Sequence, residues 1–172
     1  MYALVKLIQS VVSSLNSQGT PRQVAAGIAL GSGLGLTPLM NLHNLVILAA
    51  GMLLNVSFPA FLLGWALFVP LGFALDPLFH RIGRGLLVDT PALGPMWTAW
   101  FNTPIVPFTN FNNTVVLGSV IAWVVAFVPL YVLLRWLVAQ YRTRLYVRLQ
   151  QMRIFQVIAA SKVYNCYRLF RP

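Results

Sequence analysis

Glutamate does not occur in this chain, and aspartate occurs twice, as Asp76 and Asp89. Chemistry that needs a pair of neighbouring carboxylates therefore has almost nothing to draw on. Cysteine is nearly absent too. Cys166 stands alone in the C-terminal tail, so an intrachain disulfide is excluded, and with two histidines there is no Cys/His spacing for a structural metal. No base stands recognisably near a nucleophile. Ser32 in "LGSGLG" faintly resembles an intramembrane serine nucleophile, but glycine packing explains the motif better. No enzymatic activity and no cofactor are expected.

What remains is apolar: 59% hydrophobic residues against 8% charged over 172 residues, a balance far from that of soluble domains. It implies an integral membrane protein with one compact membrane domain. The net charge of +10 is concentrated. Arg142, Arg144, Arg148 and Arg153 open a basic tail that follows the last apolar run, continuing to Lys162, Arg168 and Arg171. Such a segment marks the cytoplasmic side and meets anionic headgroups there. Membrane apposition accounts for these residues, and no nucleic-acid partner is expected.

The N-terminal "MYALVKLIQSVVSSLNSQ" has Leu4, Leu7, Ile8, Val11 and Leu15 on one helical face and no small-x-small cleavage site, so an interfacial amphipathic helix is expected over residues 1–18. Thr20-Pro21 supplies an N-cap and a first-turn proline for a second helix. In it Gly27, Gly31 and Gly35 recur every fourth residue, a face on which another backbone can approach closely, within one protomer or in a homo-oligomer. The apolar segments Gln23 to Leu36 and Leu42 to Leu54 are too short to cross a bilayer alone. Joined through Pro38, they suggest a re-entrant or broken hairpin. Val56 to Leu75 is long enough to cross, and Asp76 to Leu87 should follow as a short amphipathic helix carrying Arg81 and Arg84. Val88 to Asn113 contains no Lys or Arg and suits an outer interface, with Trp97 and Trp100 as anchors. Thr114 to Val138 is the clearest span, and an amphipathic stripe from Tyr141 to Ala159 follows it.

The fold class is thus all-α and membrane-integral: a broken or re-entrant hairpin plus two or more full transmembrane helices, with flanking amphipathic interfacial helices. Residues 1–18 form the interfacial helix, 19–139 the helical membrane domain and 140–172 the basic cytoplasmic tail.

One pattern occurs twice. Asn41-Leu42-His43-Asn44 after Pro38 is answered by Asn110-Phe111-Asn112-Asn113 after Pro107, and Val46-Ile47-Leu48 by Val115-Val116-Leu117. Asparagine is among the best residues for capping the free amides of a helix start, so Asn41 or Asn44, and Asn112 or Asn113, are expected to cap the helices that follow. The same amides attract anions, and broken helices at matching positions of two half-repeats mark binding sites in transporters. The residues expected to contact an anionic headgroup are His43, Asn44, Arg81, Arg84, Asn112 and Asn113.

The stretch from Thr20 to Tyr141 also resembles a family of small bacterial inner-membrane proteins known as domain of unknown function 2062. The resemblance rests on Pro21-Arg22-Gln23, the Pro38 break with His43-Asn44, Asn55, the Pro77 to Leu87 element with Gly83, and the Met96 to Ser119 region. It implies a helical domain in the bacterial cytoplasmic membrane and carries no established activity. The function expected is binding or handling of an anionic amphiphile, a phospholipid or polyprenyl phosphate, beside a larger membrane or periplasm-spanning partner. The alternatives are a purely structural subunit and a small-solute or ion channel.

Overall fold

A computed structural model describes residues 19–145. The helix expected over 1–18, Cys166, and the tail residues Arg148 and Arg153 lie outside the described residues, as does the side chain of Arg144. Among the described residues every regular element is helical: α1 (Pro21–Leu36), α2 (Leu42–Leu53), α3 (Phe58–Leu87), α4 (Gly94–Phe101) and α5 (Thr114–Gln140). Short 3₁₀ turns at Pro91–Leu93 and Val106–Thr109 flank α4. The chain divides after Arg135 into two compact units. Of the second, the described residues are the last turn of α5 and a π-helical turn, Tyr141–Leu145, in which Thr143 Oγ1 donates to the Ala139 carbonyl at 3.0 Å.

Helix α1 starts where a capping box fixes it. The Gln23 amide donates to Thr20 Oγ1 at 3.3 Å, and Thr20 N donates to Gln23 Oε1 at 2.7 Å, so two orphan donors are satisfied reciprocally. Gln23 Nε2 then reaches Asn55 Oδ1 at 2.6 Å, and Ser57 N donates to the Gln23 carbonyl at 3.1 Å, tying the start of α1 to the start of α3.

The two helices then run side by side in the same direction. Gly27 meets the Ser57 carbonyl and Phe61, Gly31 meets the Phe61 carbonyl, and Gly35 meets Trp65 and Phe68. From the other side, Gly64 meets Ile28 and Gly72 meets the Gly35 carbonyl. Any side chain on these glycines would strike backbone, and their lack of one permits the close parallel crossing. Helix α2, which links them in sequence, returns in the opposite direction, with Gly51 against the Phe61 ring. Phe61, Leu34 and Ile47 form the buried core, covered by Leu30, Leu48, Trp65 and Trp123.

The short amphipathic helix expected over Asp76 to Leu87 is corrected by the structure: those residues are the last part of one 30-residue helix, α3, which passes through Pro70 and Pro77 unbroken. Both prolines lie on the exposed side of the helix. The far end of α3 is held by α5 instead. Gly83 packs on the Thr114 carbonyl, Gly118 on the Phe79 carbonyl, and α5 descends antiparallel to α3 until Trp123 Nε1 reaches the Ala29 carbonyl at 3.2 Å. Helices α3 and α5 are each long and apolar enough to cross a membrane, and α2 is not.

Candidate functional site

The two Pro–Asn loops, whose Asn41 and Asn110 stand 69 residues apart in the chain, meet. Asn110 Nδ2 donates to Asn41 Oδ1 at 2.5 Å and lies 3.2 Å from the Met40 carbonyl. Asn110 takes up a left-handed backbone, φ 54°, which asparagine tolerates better than most residues. The expectation that asparagines cap the helices divides here. Asn113 caps α5: its Oδ1 accepts from Val115 N at 2.9 Å and Val116 N at 3.3 Å. Asn41 occupies the N-cap position of α2 without a side-chain cap, and Asn44 lies inside that helix. Their Nδ2 groups both donate to the Pro38 carbonyl at 2.6 Å. The loop folds back on its own carbonyl, and Asn44, 4% exposed, seals it by accepting from the Thr37 hydroxyl at 2.6 Å.

Between the loops lies an open cleft of about 430 Å³, lined by Pro38, Met40, Asn41, Asn110, Asn112, Asn113, Val115 and Val116. No carboxylate is among these residues. Asn112 is exposed and holds no hydrogen bond among the described residues. Asn113 spends its Oδ1 on the helix cap, which leaves its Nδ2 donor for something else. Asn110 does the converse, since its Nδ2 is used and its Oδ1 is open.

Of the residues expected to contact a headgroup, Asn112 and Asn113 line this cleft and four do not. Asn44 is buried behind Asn41. His43 sits one residue along, half-buried, with Nε2 enclosed and unpartnered. Burial pushes its imidazole below the ordinary value of 6.5, and a hydrogen bond with the Thr109 backbone pulls the other way. Arg81 and Arg84 are exposed on α3, and Arg84 Nε faces Asp89 Oδ1 at 3.6 Å. Helix α3 continues past Pro77, and neither arginine is among the residues that line the cleft. The neighbouring His80 Nδ1 lies 2.7 Å from Thr114 Oγ1, at the start of α5. Sequence reasoning missed Asn41 and Asn110 as cleft residues, although both had been matched to each other in the repeated pattern.

An aromatic cluster backs the second loop. Phe111 is buried against Trp97, Trp100 and Phe101 with ring centroids 5.8, 6.3 and 6.4 Å away. Trp97 Nε1 donates to the Leu86 carbonyl at 2.9 Å, satisfying one of the free carbonyls at the end of α3. The cleft wall is therefore anchored to the helix that carries Arg81 and Arg84.

The family profile described as "Uncharacterized protein conserved in bacteria (DUF2062)" matches residues 6–146. The chain belongs to this family. The DUF2062 match contains both asparagine loops and every glycine of the α1–α3 and α3–α5 crossings, and it begins earlier than the Thr20 boundary of the resemblance. An uncharacterized protein of Treponema pallidum (strain Nichols) is similar to this chain at 28% identity over 155 residues, covering 90% of this chain and 95% of the relative. No solved structure matches.

Proposed function

We propose that this DUF2062 protein is a multi-pass protein of the bacterial inner membrane with a cytoplasmic C-terminus. In this reading it binds the headgroup of an anionic amphiphile, a phospholipid or polyprenyl phosphate, as a non-enzymatic subunit beside a larger membrane partner. The observation that carries it is the cleft itself: two asparagine loops bonded to each other, lining about 430 Å³ without an acidic residue. Carboxamide N–H groups suit phosphate oxygens, and the exposed cations Arg81 and Arg84 at the same end of the molecule add to the field an anion would meet.

The membrane reading draws on the exterior. The apolar windows of α3 and α5 are only 28% and 22% buried, whereas a core helix of a soluble protein is mostly covered. Val124, Val125, Val128, Val132 and Leu133 stand exposed along α5, and small residues rather than large ones face the helix crossings. The two rivals have less to work with. Gly27, Gly31 and Gly35 already pack on α3, so that face is not free to dock another helix. A channel needs a continuous polar path, yet the buried Ser32 and Ser119 hydroxyls bond to carbonyls of their own helices.

Native mass spectrometry of the detergent-purified protein tests the proposal, with wild type beside Asn112→Ala and beside Arg81→Ala combined with Arg84→Ala. Wild type should retain anionic lipid, and both variants should lose it without unfolding. The same nonspecific lipid on all three, or a stoichiometric protein in place of lipid, would favour the structural-subunit alternative.

A further inference from the structure

The cleft and Arg22 lie at opposite ends of the first unit, and helix registers measure the separation. Gly27 packs beside Ser57 and Phe61, so Arg22, more than a turn earlier, lies beyond the start of α3. Gly72 meets Gly35 and Leu36, which sets the Pro38 loop about 21 Å along α3 from Phe58 at 1.5 Å per residue. Thr114 meets Gly83, which sets the start of α5 at about 38 Å on the same scale. The cleft occupies the interval between these levels. The uncharged run of α3, Phe58 to Leu75, is about 27 Å long, close to a hydrocarbon core of about 30 Å. Charge begins directly beyond it, with Asp76, His80, Arg81 and Arg84. The cleft thus straddles the height at which the apolar surface gives way to charge, at the end away from Arg22. Helix α5 runs back from there, so Arg135 lies toward the Arg22 end, and the basic tail residues follow it in sequence.

We infer that the cleft receives a hydroxyl-bearing phosphodiester headgroup from the extracytoplasmic side of the membrane, opposite the end that carries Arg22 and Arg135. The inference rests on the membrane reading above and adds to it a side and a headgroup chemistry. Sidedness follows from the basic residues that the sequence sets directly after Arg135: Arg142, Arg144, Arg148 and Arg153 outnumber Arg81 and Arg84 at the cleft end, and the positive-inside rule assigns the richer flank to the cytoplasm. Headgroup chemistry follows from the groups the cleft leaves open: the Asn112 carboxamide and Asn113 Nδ2 as donors for phosphate oxygens, and Asn110 Oδ1 as an acceptor for a hydroxyl. The headgroup of phosphatidylglycerol and free glycerol phosphate share this chemistry.

Single cysteines in a Cys166→Ser background test both parts. In spheroplasts treated with a membrane-impermeant maleimide, Met40→Cys and Asn112→Cys should be labelled while the membrane is intact, and Arg22→Cys only after lysis. The reverse pattern would overturn the sidedness, whatever the ligand. In nanodiscs, an uncharged maleimide should modify Met40→Cys several-fold more slowly in phosphatidylglycerol than in phosphatidylcholine. Phe108→Cys, exposed on the same loop but outside the cleft, should not change. If dissolved glycerol phosphate slows Met40→Cys in phosphatidylcholine discs, the free headgroup is the ligand. If neither slows it, the headgroup assignment fails, and the broader binding reading then stands or falls on the anionic lipid retained in native mass spectrometry, while a correct labelling pattern in spheroplasts leaves the orientation standing.

Discussion

Asn110 and Asn41, 69 residues apart, share a hydrogen bond of 2.5 Å, and they occupy equivalent positions in the two copies of the repeated pattern. The bond joins the loop at the end of α1 to the loop before α5. It is also the inner wall of the cleft, so the same contact holds two distant segments in register and defines the site.

Removing either partner should loosen both. Asn110→Ala and Asn41→Ala are each expected to cost about 1 kcal/mol, the net worth of an ordinary hydrogen bond. The double variant should cost less than the sum of the two, because the interaction can be lost only once. Thermal melts of the purified protein in detergent measure this, and strict additivity would mean the loops are held by something else.

The glycine crossings make a sharper forecast. Gly31→Ala puts a methyl group into the Phe61 carbonyl, and Gly83→Ala puts one into the Thr114 carbonyl. Backbone has to move, at about 1–3 kcal/mol or more. Gly85→Ala meets nothing within 4 Å and sits inside α3, so it should stabilise by about 0.5–1 kcal/mol through the lower entropy of the unfolded chain. Equal effects at Gly31 and Gly85 would contradict the close crossing.

At the start of α1, Thr20→Ala should cost about 1 kcal/mol by removing the cap. Gln23→Ala should cost more. It removes the reciprocal arm of the capping box together with the 2.6 Å bond to Asn55, and so frees α1 from the turn that precedes α3. Ranking the two melting temperatures decides the matter.

His43 gives the protein a pH dependence of known sign. Burial lowers its pKa in the folded state below the ordinary 6.5, so the fold favours the neutral ring and the unfolded chain binds the proton first. The stabilisation is complete above 6.5 and is lost as the pH falls below it. Melting temperature should therefore decline between pH 7 and pH 5 more steeply in wild type than in His43→Gln, and parallel profiles would show that the ring does not titrate with folding.

Much of this fold was legible locally. Thr20-Pro21 announces α1, Leu36 and Pro38 end it, and the apolar run after Asn113-Thr114 is α5 almost to the residue. These boundaries depend on caps and prolines, which act over a few residues. Helix α3 was misread for the same reason: Pro77 beside Asp76 has every local mark of a break, yet packing of Gly83, Phe79 and His80 against α5 carries the helix through. Arg81 and Arg84 ride on that continuous helix, outside the lining of the cleft. The asparagines were legible as a repeated cluster, but the partner each amide chooses was not. Asn110 turns to Asn41 because of where two loops 69 residues apart happen to meet, and no local rule contains that information.

The parallel course of α1 and α3 has a mechanical consequence. Glycines enter the crossing from both helices, Gly27, Gly31 and Gly35 from α1 and Gly64 and Gly72 from α3, and each lies against backbone of the other. A slide of one residue, about 1.5 Å, would bring a residue that carries a side chain to a place only glycine fits. The pair therefore moves as one rod, and a shift of the Pro38 loop would carry the Thr20 cap with it.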